Sequence, residues 1–308
     1  MDVETSIQKK KKTAAWFSAM RLRTLPLALA STLTGAFLSL EQGAINGWVL
    51  LLTALTTIFL QVNSNLANDY GDFSHGTDNE GRVGPQRAMQ SGAITEPEIR
   101  KAIILASSLS LISGVVLLLI SSLEWGMRGV LFLFGIAAIY ASIKYTAGKN
   151  PYGYRGLGDV SVMAFFGVLG VVGSYLCQTG TLDTSVFLAA ISIGAFSTGV
   201  LNINNTRDLD NDEKSGKITL AVKLGPKKAR MYHLALIAIG CGSFLVYAAM
   251  HFEWGWAWLF LLSYPLFILN AVKVFTTTES VELDPYLKQL AISTFLFSII
   301  LGAGLLLQ

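Results

Sequence analysis

The chain has 308 residues, of which 52% are hydrophobic and only 14% are charged, and its formal net charge at pH 7 is +3. A soluble all-α protein is hard to reconcile with this composition, because several uncharged runs are long enough to cross a bilayer, which takes about 20 apolar residues. The small positive charge comes from an uneven distribution of basic residues and does not predict nucleic-acid binding.

Apolar runs of spanning length predict nine transmembrane helices in a single all-α membrane domain that covers residues 1–308. A basic tail at 1–14 precedes the first helix, and two polar connections, at about 69–98 and 205–228, are long. Because loops of this length are usually functional or disordered, we expect these two connections to cap an active site. The predicted helices lie at roughly 22–41, 47–67, 99–123, 127–146, 159–178, 184–204, 229–250, 255–276 and 287–307.

The basic residues predict the orientation of these helices. They gather in the N-terminal region, which includes the run Lys9–Lys12, and in the even-numbered connections. Of the 23 Lys and Arg residues, only Arg128 falls on the other side. Since cytoplasmic loops carry the excess of Lys and Arg in membrane proteins, we expect the N-terminus and both long connections to be cytoplasmic.

Two clusters of amide and carboxylate side chains follow the second and the sixth predicted helix. Each has an Asn four residues before an Asp, and residues four apart share one face of a helix. Hard divalent cations prefer oxygen ligands, so the clusters predict a bound Mg²⁺–phosphate ligand. The alternative is that these acids are solvated loop charges. The first acidic cluster is Asn68, Asp72 and Asp78, and the second acidic cluster is Asn204, Asp208 and Asp212.

Basic residues in the same connections predict contacts with phosphate. Arg87 lies in the first long connection, and Arg207 and Lys217 lie in the second. Arg and Lys form charge-assisted hydrogen bonds with phosphate oxygens. The sequence contains no GxxxxGK[ST] motif, so a diphosphate would have to be held by metal and side chains. The alternative is that each base only helps to set the topology.

Three segments resemble the UbiA superfamily of intramembrane prenyltransferases, and within it the branch that prenylates 1,4-dihydroxy-2-naphthoate in menaquinone synthesis. They are Asn65–Asp78, Pro151–Asp159 and Asn204–Gly225, and the stretch Arg21–Pro26 also fits. The resemblance covers nearly the whole chain. The wider superfamily places a third acid four residues after the second, where this chain has Gly76. Asp78 takes that role here, as in the naphthoate branch.

The resemblance implies a UbiA-like bundle of nine transmembrane helices that binds two Mg²⁺ ions, one at each acidic cluster. It implies transfer of a polyprenyl group from a polyprenyl diphosphate to 1,4-dihydroxy-2-naphthoate with decarboxylation, giving demethylmenaquinone. The residues expected to act in catalysis are Asp72, Asp78, Asp208, Asp212, Arg207 and Lys217. Those expected to bind substrate are Asn65, Asn68, Asp69, Arg87, Asn204, Asn205, Tyr145, Tyr152, Tyr154, Arg155 and Arg23.

Within that set, the connection at 145–159 is assigned to the acceptor, because Arg155 can grip a carboxylate through two hydrogen bonds. We expect the protein to lie in the lipid bilayer of the bacterial cytoplasmic (inner) membrane, with no nucleic-acid partner and no obligate protein partner. Two alternatives stay open: an acceptor such as 4-hydroxybenzoate, and a multi-helix secondary transporter. Transporters, however, tend to break their helices around charged groups, whereas here the charges gather at helix ends.

Overall fold

The structure is a computed structural model that describes the backbone of residues 2–79, 83 and 87–308, and the side chains within these ranges from residue 11 onwards. In this part of the chain, nine helical stretches are long and apolar enough to cross a membrane. The prediction of nine transmembrane helices in an all-α protein is thereby confirmed. Residues 80–82 and 84–86 of the first long connection, and the side chains of Lys9 and Lys10, lie outside the described part.

The helices are named in chain order. They are α1 (Asp2–Met20), α2 (Leu25–Leu38), α3 (Gly47–Ser74), α4 (Glu96–Ile120), α5 (Trp125–Lys144), α6 (Gly158–Val162), α7 (Gly173–Thr179), α8 (Val186–Arg207), α9 (Leu209–Lys214), α10 (Leu220–His251), α11 (Tyr264–Thr276) and α12 (Asp284–Leu307). A π-helical stretch, Met163–Val172, joins α6 to α7, so the three form one span. Short 3₁₀ stretches, Trp256–Ser263 and Ser280–Leu283, lead into α11 and α12.

Two helices differ from their predicted bounds in ways that matter for the site. Helix α3 continues past residue 67 to Ser74, so Asp69 and Asp72 are helical. Helix α10 begins at Leu220 rather than near 229, because the Thr219 hydroxyl caps it and the chain only bends at Gly225, where φ is +74°. With α9 also present, much of the predicted connection at 205–228 is helical.

Helix α8 lies at the centre of the bundle. In its most apolar stretch 78% of the residues are buried, against 6% for α5, which is therefore peripheral. Aromatic side chains from four elements pack together beside α8: the rings of Phe196 and Phe267 stack at 4.0 Å, and Phe297 meets Phe244 edge-on at 4.8 Å. Aromatic pairs of this geometry add stability beyond the area that they bury.

Close backbone contact fixes α2 against the π-helical stretch. A Cβ atom added at Gly35 would lie 1.9 Å from the carbonyl oxygen of Val171, and one added at Gly170 would lie 1.8 Å from Oγ of Ser31. Small residues allow membrane helices to approach this closely. The backbone of α2 is thus held directly against the π-helical stretch. The space that remains between α2, α3 and α8 is part of the cavity described next.

Candidate active site

A cavity of about 410 Å³ opens between α2, α3, α4, α5, α8 and the α6–α7 span. Most of the residues predicted for the site line it. They are Arg23, Asn65, Asn68, Asp72, Asp78, Arg87, Tyr145, Tyr152, Asn204, Asn205, Asp208, Asp212 and Lys217. Both acidic clusters therefore face one space, as the sequence predicts. Asp69, Tyr154, Arg155 and Arg207 are not among the lining residues.

The two acidic clusters are bridged by one ammonium group. Nζ of Lys217 lies 3.6 Å from Oδ1 of Asp72 and 3.8 Å from Oδ1 of Asp212. Burial by itself would lower the pKa of Lys217, but the two carboxylates outweigh it and raise the pKa above its usual value. Lys217 is therefore a permanent positive charge that holds the end of α3 close to α9.

Tyr154 supports this bridge from behind the cavity. Its hydroxyl donates to Oδ1 of Asp72 at 2.9 Å and lies 2.5 Å from the hydroxyl of Thr77. Its ring faces the ammonium of Lys217 at 5.4 Å, a cation–π contact. Burial raises the pKa of Tyr154, and the nearby carboxylate of Asp72 adds to the effect, so the phenol stays protonated and can donate. The sequence predicts that Tyr154 binds substrate. In the structure, Tyr154 is not among the residues that line the cavity, and it contacts Asp72 and Lys217.

Asp69 is also set back from the cavity, where it anchors two arginines that line it. Oδ1 of Asp69 accepts from Arg21 at 2.9 Å and lies 3.2 Å from Nη1 of Arg87, while Asp69 itself is 1% exposed. Arg87 also approaches Asp78 at 3.6 Å. The prediction that Asp69 contacts substrate is replaced by this anchoring position. A buried carboxylate shared by two guanidinium groups keeps both of them oriented toward the cavity.

Arg21 lines the cavity, although it is not among the substrate-binding residues predicted from the sequence. Of the Arg-Leu-Arg stretch only Arg23 is predicted to bind substrate, and both arginines line the cavity. Arg21 has a left-handed backbone conformation, with φ of +48°. Non-glycine residues in this region carry strain, which often marks functional sites. The signal is conformational, so the sequence could not supply it.

Arg207 lies behind the second acidic cluster. It is the last residue of α8, and its side chain is 1% exposed. Its Nε and Nη2 donate to the two oxygens of Asp208 at 2.9 and 2.7 Å, and Nη2 also donates to Oδ1 of Asn204 at 2.9 Å. A contact between Arg207 and phosphate stays a prediction. In the structure, Arg207 is not among the residues that line the cavity, and its guanidinium holds two residues that do, Asn204 and Asp208.

The connection after α5 contributes tyrosines to the cavity, but Arg155 is exposed and outside it. Tyr145 and Tyr152 line the cavity, with ring centroids 5.4 Å apart. The peptide N–H of Ile218 donates to the carbonyl of Tyr154 at 3.0 Å, and the Asn211 amide donates to the carbonyl of Thr77 at 3.0 Å. These hydrogen bonds tie three connections together over the polar end of the cavity.

Away from the charges, the cavity becomes an apolar channel between α3, α4 and α5. Thr53 and Asp72 both line it, and at 1.5 Å per residue they are about 29 Å apart along α3. Two hydroxyls on its wall bond within their own helices: Thr53 donates to the carbonyl of Val49 at 2.7 Å, and Ser110 donates to the carbonyl of Ala106 at 2.7 Å. Other lining residues are Leu60, Leu111, Val115, Leu118, Phe132, Ile136, Phe165 and Leu169.

The side chains at the polar end of the cavity limit the kind of metal ion that could bind there. Among the residues that the structure describes, no three Asp, Glu, His or Cys side chains converge closely enough to hold a metal by themselves. Each acidic cluster instead offers amide and carboxylate oxygens beside arginine and lysine. Mg²⁺ is typically bound by one or two carboxylates together with water and substrate phosphates. The donor set therefore suits Mg²⁺ that arrives with a phosphate ligand.

The chain is similar to proteins of known family along nearly its whole length. Residues 28–302 match the UbiA prenyltransferase family. A 1,4-dihydroxy-2-naphthoate octaprenyltransferase of Haemophilus influenzae is 44% identical over 304 residues, which cover 96% of this chain and 97% of that protein.

Solved structures show the same fold at low sequence identity. The apo structure of a UbiA homolog from Aeropyrum pernix K1 covers 93% of this chain and 98% of its own, with a TM-score of 0.70 and 18% identity. A UbiA homolog from Archaeoglobus fulgidus bound to GPP and Mg²⁺ covers 94% and 99%, with a TM-score of 0.63 and 17% identity.

Proposed function

The chain belongs to the UbiA prenyltransferase family, and on that premise we propose that it transfers a polyprenyl group from a polyprenyl diphosphate to 1,4-dihydroxy-2-naphthoate with loss of carbon dioxide. The relative of 44% identity bears the name of that activity. One observation carries the proposal: a single cavity joins both acidic clusters to a long apolar channel. Such a cavity matches a ligand with a highly charged head and a long hydrocarbon tail.

The diphosphate would bind at the polar end. We assign Asn68, Asp72 and Asp78 to one Mg²⁺ ion and Asn204, Asp208 and Asp212 to a second, a donor set that fits as described above. When bound, Mg²⁺ supplies Lewis-acid stabilisation of the charge on the phosphate oxygens. Around it, Arg21, Arg23, Arg87 and Lys217 line the cavity and present hydrogen-bond donors to the same oxygens.

The reaction proceeds through charge that develops on both substrates. As the allylic C–O bond breaks, its electron pair goes to the diphosphate, and the fixed cations of the cavity stabilise that charge. The electron-rich ring then attacks the allylic carbon through its carboxylate-bearing carbon. Release of carbon dioxide leaves its bonding pair in the ring, so the product is the quinol form of demethylmenaquinone.

Tyr145 and Tyr152 are the side chains best placed to act on the carbocation and the acceptor. Both line the cavity where the polar end meets the channel, and the negative face of an aromatic ring attracts a cation. Burial raises the pKa of Tyr145, and the charge of Asp159 adds to this, so its hydroxyl remains a proton donor. Arg155 has no part in this proposal, because it lies on the exposed surface.

The acceptor can be tested with purified protein, Mg²⁺ and a polyprenyl diphosphate in a competition between two aromatic acids. We expect 1,4-dihydroxy-2-naphthoate to be prenylated and 4-hydroxybenzoate to be left largely unreacted, as judged by mass spectrometry of the products and release of carbon dioxide. Chelation of Mg²⁺ should stop the reaction. Faster prenylation of 4-hydroxybenzoate would exclude the naphthoate assignment while leaving prenyl transfer intact.

A matched control for Asp208 of the second acidic cluster lies close to it in the chain. Asp208 lines the cavity, whereas Asp210, two residues later, is exposed and does not. Asp208→Asn should lower kcat/KM by about 10²–10³, the usual cost of losing one group that stabilises transition-state charge. Asp210→Asn removes the same charge and should retain at least half of the activity. Equal losses in both variants, or none in either, would show that the cavity-facing carboxylate has no special role.

We also propose that the polar end of the cavity faces the cytoplasm, in a bacterial inner membrane. The support is the concentration of basic residues at that end. In a background where Cys177 and Cys241 are replaced by alanine, cysteines at exposed Ser74 and half-buried Ser215 should resist a membrane-impermeant thiol reagent added to intact cells. A cysteine at exposed Thr181, between α7 and α8, should react. The reverse labelling pattern would invert the topology.

A further inference from the structure

Asp284, the first residue of α12, contacts Arg207, the residue that holds the second acidic cluster, from far along the chain. Its Oδ1 accepts a hydrogen bond from Nη1 of Arg207, and its Oδ2 lies 4.0 Å from Nη1 of Arg23, which lines the cavity. Leu283 and Leu290 on either side of it are fully buried, so the start of α12 is held firmly against the bundle. No local pattern in the sequence connects this residue with the acidic clusters.

We infer that Asp284 is a positioning residue for the proposed metal and diphosphate site, acting through Arg207. All three nitrogens of the Arg207 guanidinium are engaged: Nε and Nη2 by Asp208, Nη2 also by Asn204, and Nη1 by Asp284. Asp284 fixes the one edge of the guanidinium that the cluster itself leaves unbound. The plane of the guanidinium then determines where Asn204 and Asp208 point.

Charge gives Asp284 a second effect on the cluster. A buried arginine paired with Asp208 alone would neutralise that carboxylate and compete with a metal for it. With Asp284 present, the guanidinium of Arg207 is shared by two carboxylates, so Arg207 neutralises Asp208 less completely. Groups that hydrogen-bond to metal ligands typically contribute 10- to 100-fold to metal affinity or activity.

A simpler role for Asp284 is to stabilise α12, since an acid in the first turn of a helix interacts favourably with the helix dipole. The two roles differ in what they change. A helix-stabilising acid would affect thermal stability, whereas a positioning residue affects metal binding in protein that is still folded.

The test is a titration with Mn²⁺, followed by electron paramagnetic resonance, in detergent-solubilised protein with geranyl thiodiphosphate as an unreactive ligand. Asp284→Asn and Asp284→Ser remove the charge but keep a short polar side chain at the start of α12. Each should raise the Kd for Mn²⁺ by about 10-fold, the lower end of that range, because Asp284 acts through Arg207. Asp284→Glu should recover most of the affinity. Glu282→Gln is the matched control, since Glu282 is an exposed acid two residues away, and it should bind Mn²⁺ like the unaltered protein.

Thermal unfolding of each variant completes the experiment. We expect melting temperatures close to that of the unaltered protein. A normal Kd in either neutral variant, or a loss of affinity that appears only together with a loss of thermal stability, would overturn the inference. The inference rests on the proposed function, but this readout needs no acceptor. If the unaltered protein fails to prenylate naphthoate and still shows Asp284-dependent Mn²⁺ binding, only the acceptor assignment is wrong.

Discussion

The structure depends on opposite charges that alternate across the ends of α3, α8 and α9. Lys217 lies between Asp72 and Asp212, two arginines share Asp69, and two carboxylates share Arg207. Removing one partner from a fully buried ion pair typically costs about 3–5 kcal/mol, because the remaining charge is left unpaired. Asp284 is the exception, because its side chain is 38% exposed and Arg207 stays paired with Asp208 without it. The network therefore holds these helix ends together.

Gathering the charges at one end allows the rest of the cavity to be apolar. Along α3 and α4, hydroxyl groups of Thr53, Thr57 and Ser110 donate to their own helix backbones, so these hydrogen bonds need no water. A lipid tail can then occupy the channel at a gain of about 0.8 kcal/mol per buried CH₂. Under the proposed function, the same division places the bond to be broken at the boundary between the charged end and the channel.

The sequence predicts much of this because the physical signals are local. The lengths of the apolar runs predict the nine spans. The Asn-to-Asp spacing places the members of each cluster on one helix face, and their position on the same side of the membrane predicts that the clusters form one site. A local sequence pattern cannot show which side chains at a helix end face the cavity and which are covered by the rest of the protein. Arg207 and Asp69 are adjacent to cavity residues yet lie behind them, and Arg155 extends into solvent. Asp284 is separated from Arg207 by 77 residues, so only the packing of α12 against α8 brings them together.

The central claim is that both acidic clusters bind one metal–diphosphate ligand. A crystal structure with Mn²⁺ and geranyl thiodiphosphate, with the metal located by anomalous scattering, tests it most directly. We expect anomalous peaks within bonding distance of oxygens from both clusters, Asp72 on one side and Asp208 on the other, with the diphosphate between them and the geranyl chain in the channel. Metal at only one cluster, or a diphosphate bound away from Lys217, would contradict it.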